Sequence, residues 1–450
     1  MEIATMSHRQ RWGSRLSFIF ASVGSAVGLG NIWKFPYIVG QNGAGAFVAV
    51  YLLCISCIGV PLLMCELFIG ARGQAGAVKA FEVVHRPGSP WRFLGHLGWV
   101  IAFVILSFYC VIGGWILDFL QLALRGQLTQ GNPQVVSRML QQLFDDPTRQ
   151  IVWHGVFIAL NAVVMQRSFK KGLERASMWL MPLLALVLLL LLLCVLFLPG
   201  IHRACLFLFW PDTTRLTTTG VLEAVGHSFF TLSIAMGIML TYGSYLDSTR
   251  SLGRLAVCIA FFDTLIALMV GVVIFSVVFS FDMQPNSGPT LIFQTLPVLF
   301  SQLKGGWLIA TLFFLLVAFA ALTSSLSLFE LLIGVGTQSF DISRKTAAIG
   351  VATAAFALGI VSALSSNVLA HVTVLGKTPF ALLDWLTSSV LLPVSGIGFA
   401  LFFGWVLGPA AVIQLLGPRL GPSVLGTVFL WLVRTVVPGA IGVIWLQGLL

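Results

Sequence analysis

The feature that most restricts this chain is a succession of long apolar runs, at 13–38, 43–70, 94–124, 150–166, 176–199, 220–245, 255–281, 306–336, 346–364, 379–407 and 424–448. A helix needs about 20 mostly apolar residues to cross the hydrocarbon of a bilayer, so the pattern predicts eleven spans. Inside hydrocarbon every backbone N–H and C=O must find an internal partner, which leaves helix bundles and closed barrels. A barrel would show short strands of alternating polarity, and these runs do not alternate. Composition agrees, since 58% of the 450 residues are hydrophobic and 9% charged, more apolar surface than a soluble domain can hide.

Of the 25 lysines and arginines, 16 fall in one set of alternating loops and seven in the other, with Lys34 and Arg434 inside spans. Positive loops stay in the cytoplasm. The N-terminus is therefore expected inside and the C-terminus, after eleven spans, outside, in a plasma membrane or cell inner membrane. The net charge of +10 is dispersed through short loops, so it marks topology and not a nucleic-acid partner. Residues 1–13 are polar and lack a secretory signal's apolar core, so the first span is expected to stay in place. The seven cysteines include a Cys54/Cys57 pair without the second pair of a zinc site, and they read as small buried residues. No linker divides the chain, which is expected to be one domain over 1–450. Residues 125–150 read as an external loop, and 206–219 and 287–301 as short surface helices.

Two spans, the first and the sixth, are interrupted. Span one contains Gly24-Ser25-Ala26-Val27-Gly28-Leu29-Gly30-Asn31, and span six contains Phe230-Thr231-Leu232-Ser233-Ile234-Ala235-Met236-Gly237. Glycines and hydroxyls at this density disfavour continuous helix. Interrupted helices in matching positions of two five-span halves point to a transporter site at an inverted repeat. Unwinding at mid-membrane frees carbonyls for a cation and N–H groups for an anion. Small residues also let helices pack closely, and the glycines alone do not separate the two readings. Asn31 and the matching sixth span favour a site.

The segment 15–36, RLSFIFASVGSAVGLGNIWKFP, followed by Gln41-Asn42-Gly43-Ala44-Gly45-Ala46-Phe47, resembles the first-helix signature of the neurotransmitter:sodium symporter family, the LeuT-type transporters. The resemblance continues through Gly59-Val60-Pro61-Leu62 with Glu66, Phe229-Phe230-Thr231-Leu232-Ser233 and Ala321-Leu322-Thr323-Ser324-Ser325. It implies an all-α integral membrane fold with a LeuT-type 5+5 inverted repeat, discontinuous helices one and six and eleven transmembrane helices. Repeat one would be 13–199, repeat two 220–407, and 424–448 an additional helix. It further implies two sodium ions and no organic cofactor. Sodium site one would be Ala26, Asn31, Thr231 and Asp263; site two Gly24, Val27, Ala320, Thr323 and Ser324. All offer oxygen, as a hard cation requires. Read without the resemblance, Thr323-Ser324-Ser325 also suits helix–helix hydrogen bonding. Asp263 lies deep in an apolar run, where ionised groups are costly and mark pathways or counter-ions. The family often has Asn there, with chloride bound close by in some members, so a fixed carboxylate implies chloride-independent transport.

Monoamine-carrying relatives have Asp where this chain has Gly28, so the substrate is expected to bring its own carboxylate and to be an amino acid. By resemblance its backbone would meet Ser25, Ala26, Gly28, Leu29, Gly30, Thr231 and the Tyr109 hydroxyl. Its side chain would meet Ile105, Phe230, Ser233, Met236, Ser324 and Leu328, a mostly apolar pocket suited to a neutral hydrophobic or aromatic side chain. Ala235 stands where glycine is more usual and is expected to narrow the pocket. Lys34 and Asp384 match the outer gate, with Lys losing the bidentate fork of Arg. Arg9, Trp12 and Tyr245 match the inner latch, whose acidic partner is Gln338 here, a change expected to weaken that closure. Glu66 and Glu330 are expected to hold neighbouring broken helices, with proton coupling as the other reading. His227 either lines the outer vestibule or packs. No metal helix or Ser/His/Asp arrangement suggests an enzyme, and no obligatory protein partner is evident. A sensor retaining the fold without flux would share these features.

Overall fold

The computed structural model describes residues 11–128, 133–246, 252–283 and 291–449. Arg9 lies outside the described residues. Among them the chain is helical throughout, with one isolated antiparallel bridge, Val374–Lys377. Eight helices are long and apolar enough to cross a membrane unbroken: Gly45–Gly73, Arg92–Leu124, Lys170–Val195, Leu252–Ser280, Gly306–Phe340, Arg344–Ser366, Pro379–Leu416 and Val424–Leu446. A ninth is the pair Arg15–Ala26 and Gly30–Gln41, bent by 49°. The other two expected spans are present but depart from the simple pattern. Pro147–Met165 is diluted by Arg149, Gln150, His154 and Asn161, and the sixth is split into Thr218–Thr231 and Ile238–Gly243. Of the segments read as surface, 125–150 contains the helix Pro133–Asp145, and 206–219 the end of the helix Ile201–Phe209. Residues 284–290 lie outside the described residues, and the rest of that segment is helical through Leu291–Thr295 and Leu296–Gln302.

Prolines shape the spans in a regular way. In six places a π-helical turn ends two residues before a proline: Gly30–Lys34 before Pro36, Ile55–Gly59 before Pro61, Leu291–Thr295 before Pro297, Leu386–Leu391 before Pro393, Phe402–Leu407 before Pro409, and Leu432–Val436 before Pro438. Proline brings no N–H and its ring crowds the carbonyl four residues back. The turn ahead of it widens instead, and the residue preceding Pro36, Pro61, Pro393, Pro409 and Pro438 bonds five residues back, as Val60 does to the Ile55 carbonyl. A further π turn, Lys170–Glu174, has no proline at this spacing.

Span one opens at Val27, whose backbone is extended (φ −71°, ψ 96°). Span six opens over 232–237, where Ser233, Ala235 and Gly237 all have positive φ (51°, 71° and 84°). Two of these are not glycine, and a left-handed L-residue persists only where its surroundings hold it. The holds are visible. The Ala235 N–H donates to the Glu66 carboxylate of span two, as expected for Glu66, and the Ser233 hydroxyl donates to the Ser25 carbonyl at 2.9 Å. The two breaks thus face each other, with span eight packed against span three and against the first half of span one.

Candidate functional site

Between the breaks lies a cavity of about 40 Å³. Its walls are Ser25, Ala26, Gly28, Leu29 and Gly30 from span one, Phe230, Ser233, Met236 and Ile238 from span six, Ile105 and Tyr109 from span three, and Ser324 and Leu328 from span eight. Twelve of the thirteen residues expected to meet substrate are here; the other, Thr231, faces a neighbouring polar cluster. Ile238 was not anticipated. It follows the second break, and helical spacing cannot be carried across six unwound residues. The polar part of the cavity is concentrated at one end. The Tyr109 hydroxyl and the Ser25 hydroxyl are buried without a hydrogen-bond partner. A β-carbon on Gly28 would sit 2.5 Å from Ser324 Oγ and 3.1 Å from Tyr109 Oη, so the missing side chain is what leaves that space. Ala235 corrects an expectation: its methyl does not line the cavity but turns toward Gly396 of span ten, 3.4 Å from where a β-carbon would stand there.

Two oxygen clusters flank the cavity. In the first, Asn31 Nδ2 donates to Asp263 Oδ1 at 2.8 Å and to the Asp263 carbonyl at 3.1 Å, while Thr231 Oγ1 donates to Asp263 Oδ2 at 2.9 Å. Asn31, Thr231 and Asp263 are wholly buried. The partners of Asp263 are neutral and, among the described residues, no ion pair reaches it, so an ionised carboxylate here leaves the cluster one positive charge short of balance. A buried ion without a counter-charge is strongly unfavourable, which suits the cluster to a cation.

In the second, Ser324 Oγ lies 3.4 Å from the Gly24 carbonyl, 3.2 Å from Ser25 and 3.3 Å from Val27. One hydroxyl proton cannot serve three carbonyls. Thr323 Oγ1 turns back along its own helix to the Ala320 carbonyl at 3.0 Å and the Phe319 carbonyl at 3.1 Å. Gly24 permits the approach, because a β-carbon there would stand 2.9 Å from Met181 Sδ and 3.2 Å from Thr323 Cβ. Oxygen lone pairs in excess of donors are what a hard cation needs.

The chain's sequence matches the sodium:neurotransmitter symporter family over residues 9–144 and 140–444. It is 36% identical over 439 residues to the sodium-dependent transporter YhdH of Bacillus subtilis, covering 97% of each chain. A sodium-dependent transporter of Haemophilus influenzae is 32% identical, with 98% of each chain covered. The chain belongs to the sodium:neurotransmitter symporter family. Among solved structures, that of MhsT in complex with L-phenylalanine superposes with a TM-score of 0.89 at 39% identity, covering 98% of this chain and 100% of that one. This chain is thus a multi-pass membrane protein of a sodium-dependent secondary transporter family with the LeuT fold, and not an enzyme.

On one side of the centre, Phe230 separates the small central cavity from a larger one of about 210 Å³ that Lys34 and Asp384, the expected outer-gate pair, line together. The Lys34 ammonium lies over the Phe230 ring, 4.9 Å from its centroid, a cation–π contact. Among the described residues no ion pair joins Lys34 to Asp384. His227 borders a further cavity of about 410 Å³ but is 1% exposed and stacked on Phe35, which supports the packing reading.

At the other end of the symporter, Trp12 is buried among Phe18, Phe169, Tyr242 and Tyr245, and its indole N–H donates to the Tyr242 carbonyl at 3.1 Å. Gln338 does not face this cluster: its amide oxygen holds the Gly76 N–H at 2.7 Å. The acid beside Tyr245 is Glu330, two turns earlier in span eight, which accepts from the Tyr245 hydroxyl at 2.8 Å and pairs with Arg344 at 2.5 Å. The expected loss of charge at Gln338 is thus accompanied by an ion pair at Glu330, a pairing that sequence spacing did not reveal because Arg344 reaches it from the next span.

Proposed function

We propose that this symporter imports a neutral L-amino acid with a hydrophobic or aromatic side chain, driven by two sodium ions and without chloride. The observation that carries the reading is Gly28. With no acidic side chain at the first break, nothing there offers an ion pair to a substrate amine. The space it leaves, beside the Tyr109 hydroxyl, suits a carboxylate. Opposite that end, Ile105, Met236, Ile238 and Leu328 make an apolar chamber that a charged side chain would enter at high cost, while flexible Met236 adapts to more than one shape. That MhsT, which shares the fold, was solved with L-phenylalanine supports the class of substrate.

The first sodium ion would bind at Ala26, Asn31, Thr231 and Asp263, next to the substrate carboxylate, so each favours the other's binding. The second would join Gly24 and Val27 of span one to Ala320, Thr323 and Ser324 of span eight, biasing the transporter toward the state in which span one is held. Release of that ion would free the first half of span one. A fixed charge at Asp263 supplies the negative balance that other family members take from chloride. Repeats 13–199 and 220–407 would rock about this centre, with the N-terminus in the cytoplasm and the protein in the plasma or inner membrane.

The test is uptake of labelled L-phenylalanine into proteoliposomes under an inward sodium gradient, with the natural amino acids as competitors. Accumulation that collapses when sodium is equalised, and competition confined to neutral hydrophobic residues, is expected. No accumulation, or equal competition by lysine or glutamate, would overturn the reading.

A further inference from the structure

Arg434 is a charged residue within an apolar span, outside the transport centre, on the helix Val424–Leu446. Its Nε donates to the Gly404 carbonyl of span ten at 2.8 Å. Gly404 needs that donor. The Gly408 N–H bonds to Phe403, and the next residue, Pro409, has no N–H to offer. The exchange is reciprocal: Pro438 denies the Arg434 carbonyl its helical donor, and the Trp405 indole N–H reaches it at 3.3 Å. The guanidinium lies over the Trp405 ring at 4.8 Å.

Backbone capping uses one of five guanidinium N–H donors. Among the described residues no carboxylate pairs with the rest, and the residue is partly exposed among the exposed apolar side chains of Trp405, Trp431 and Val436. A charge facing hydrocarbon has to reach the interface or draw a headgroup to it. The side chain takes that direction. Its Cγ lies beside Gly404 and its Nη2 is 3.7 Å from the β-carbon position of Gly408, so it runs along span ten toward the turn at 417–423. Arg434 is ten residues from Val424, about 15 Å along the axis, and the reach past four residues of span ten recovers about 6 Å. The guanidinium then lies about 9 Å from that end of the bundle, at the depth where acyl chains meet headgroups. Trp405 and Trp431, 56% and 53% exposed, stand at the same level, as interfacial tryptophans do.

We propose that the free face of the Arg434 guanidinium, between Trp405 and Trp431, binds the phosphate of an anionic phospholipid in the leaflet at the 417–423 end. The guanidinium fork matches two phosphate oxygens, the indoles cover the glycerol region, and the acyl chains lie along spans ten and eleven. Gly408, at φ 61°, redirects span ten ahead of Pro409 beside the guanidinium. This rests only on the chain spanning a membrane and is independent of what it transports.

The experiment is native mass spectrometry of the full-length protein, delipidated in detergent and titrated with dioleoylphosphatidylglycerol, with dioleoylglycerol, and with phosphatidylglycerol in the presence of millimolar inorganic phosphate. One phosphatidylglycerol is expected to bind, dioleoylglycerol is not, and inorganic phosphate leaves the bound lipid in place. Arg434→Met is expected to weaken the lipid roughly tenfold or more, the loss of a charge-assisted pair. Arg434→Lys, which keeps the charge and a donor for Gly404 but loses the fork, gives a smaller measurable loss and serves if the Met variant does not fold. Equal lipid affinity in wild type and the folded variant overturns the proposal. So does dioleoylglycerol binding as tightly, or displacement of the lipid by inorganic phosphate.

Discussion

A missing side chain and a buried charge define this site. Gly28 is the smallest change with the largest consequence, because any β-carbon there collides with Ser324 Oγ and approaches Tyr109 Oη. Gly28→Ala is expected to abolish uptake while the protein still folds, which flux assays beside size-exclusion profiles would check. Asp263 takes donors from Asn31 and Thr231, and all three are wholly buried. Asp263→Asn removes the only charge in that cluster. Half-maximal sodium concentration is expected to rise roughly tenfold or more, the scale of one charge-assisted contact; an unchanged sodium titration would count against the first cation site. Both residues stood out in the sequence, Gly28 from the family's pattern and Asp263 from its lone carboxylate among apolar neighbours. Ile238 and the orientation of the Ala235 methyl did not, since each depends on how the chain turns through residues that have left helical geometry.

At the scale of an element, the sixth span is held open under strain. Ala235 occupies a left-handed conformation at φ 71°, which costs an L-residue of order 1–3 kcal/mol. Ala235→Gly removes that strain at the cost of a more flexible unfolded chain, so a net gain of about 1 kcal/mol is expected in thermal melts. Because the methyl points to span ten, the same change is expected to leave substrate preference unaltered; a variant that accepts bulkier amino acids would show that the side chain does reach the pocket. The far end of span eight makes an asymmetric prediction. Glu330 is fully buried while the Arg344 side chain keeps 22% exposure. Arg344→Met strands a buried carboxylate, expected to cost about 3 kcal/mol or more, whereas Glu330→Gln leaves a cation that reaches water and the Arg167 carbonyl. The arginine variant is therefore expected to melt at the lower temperature and to expose a cysteine introduced at Phe169, beside Trp12, more readily to thiol reagents. The widened turns before Pro36, Pro61, Pro393 and Pro438 were foreshadowed by prolines lying inside apolar runs, though the run alone does not say whether the helix widens, kinks or stops.

For the whole molecule, ion selectivity follows from how charge is distributed over the bundle. With Asp263 proposed to supply a fixed negative charge beside the first break, replacing external chloride with gluconate is expected to leave sodium-driven uptake unchanged. A fall to background would show that a mobile anion completes the site. The central cavity is small and Phe230 separates it from the larger one beside Lys34 and Asp384, while Trp12 and its aromatic neighbours fill the opposite end. Such a shape is closed over its centre from both sides, and transport requires each closure to open in turn.

Membrane residence, the succession of spans, the two interruptions and the oxygen-bearing residues of the centre were all determined by the order of residues. Each depends on local chemistry, on whether a stretch can satisfy its backbone in lipid or continue as helix. Partnership was decided only in three dimensions. Arg344 meets Glu330 and Arg434 meets Gly404 across helix faces, and no sequence period relates those positions. Which groups become neighbours depends on rotations and tilts set by packing the entire bundle.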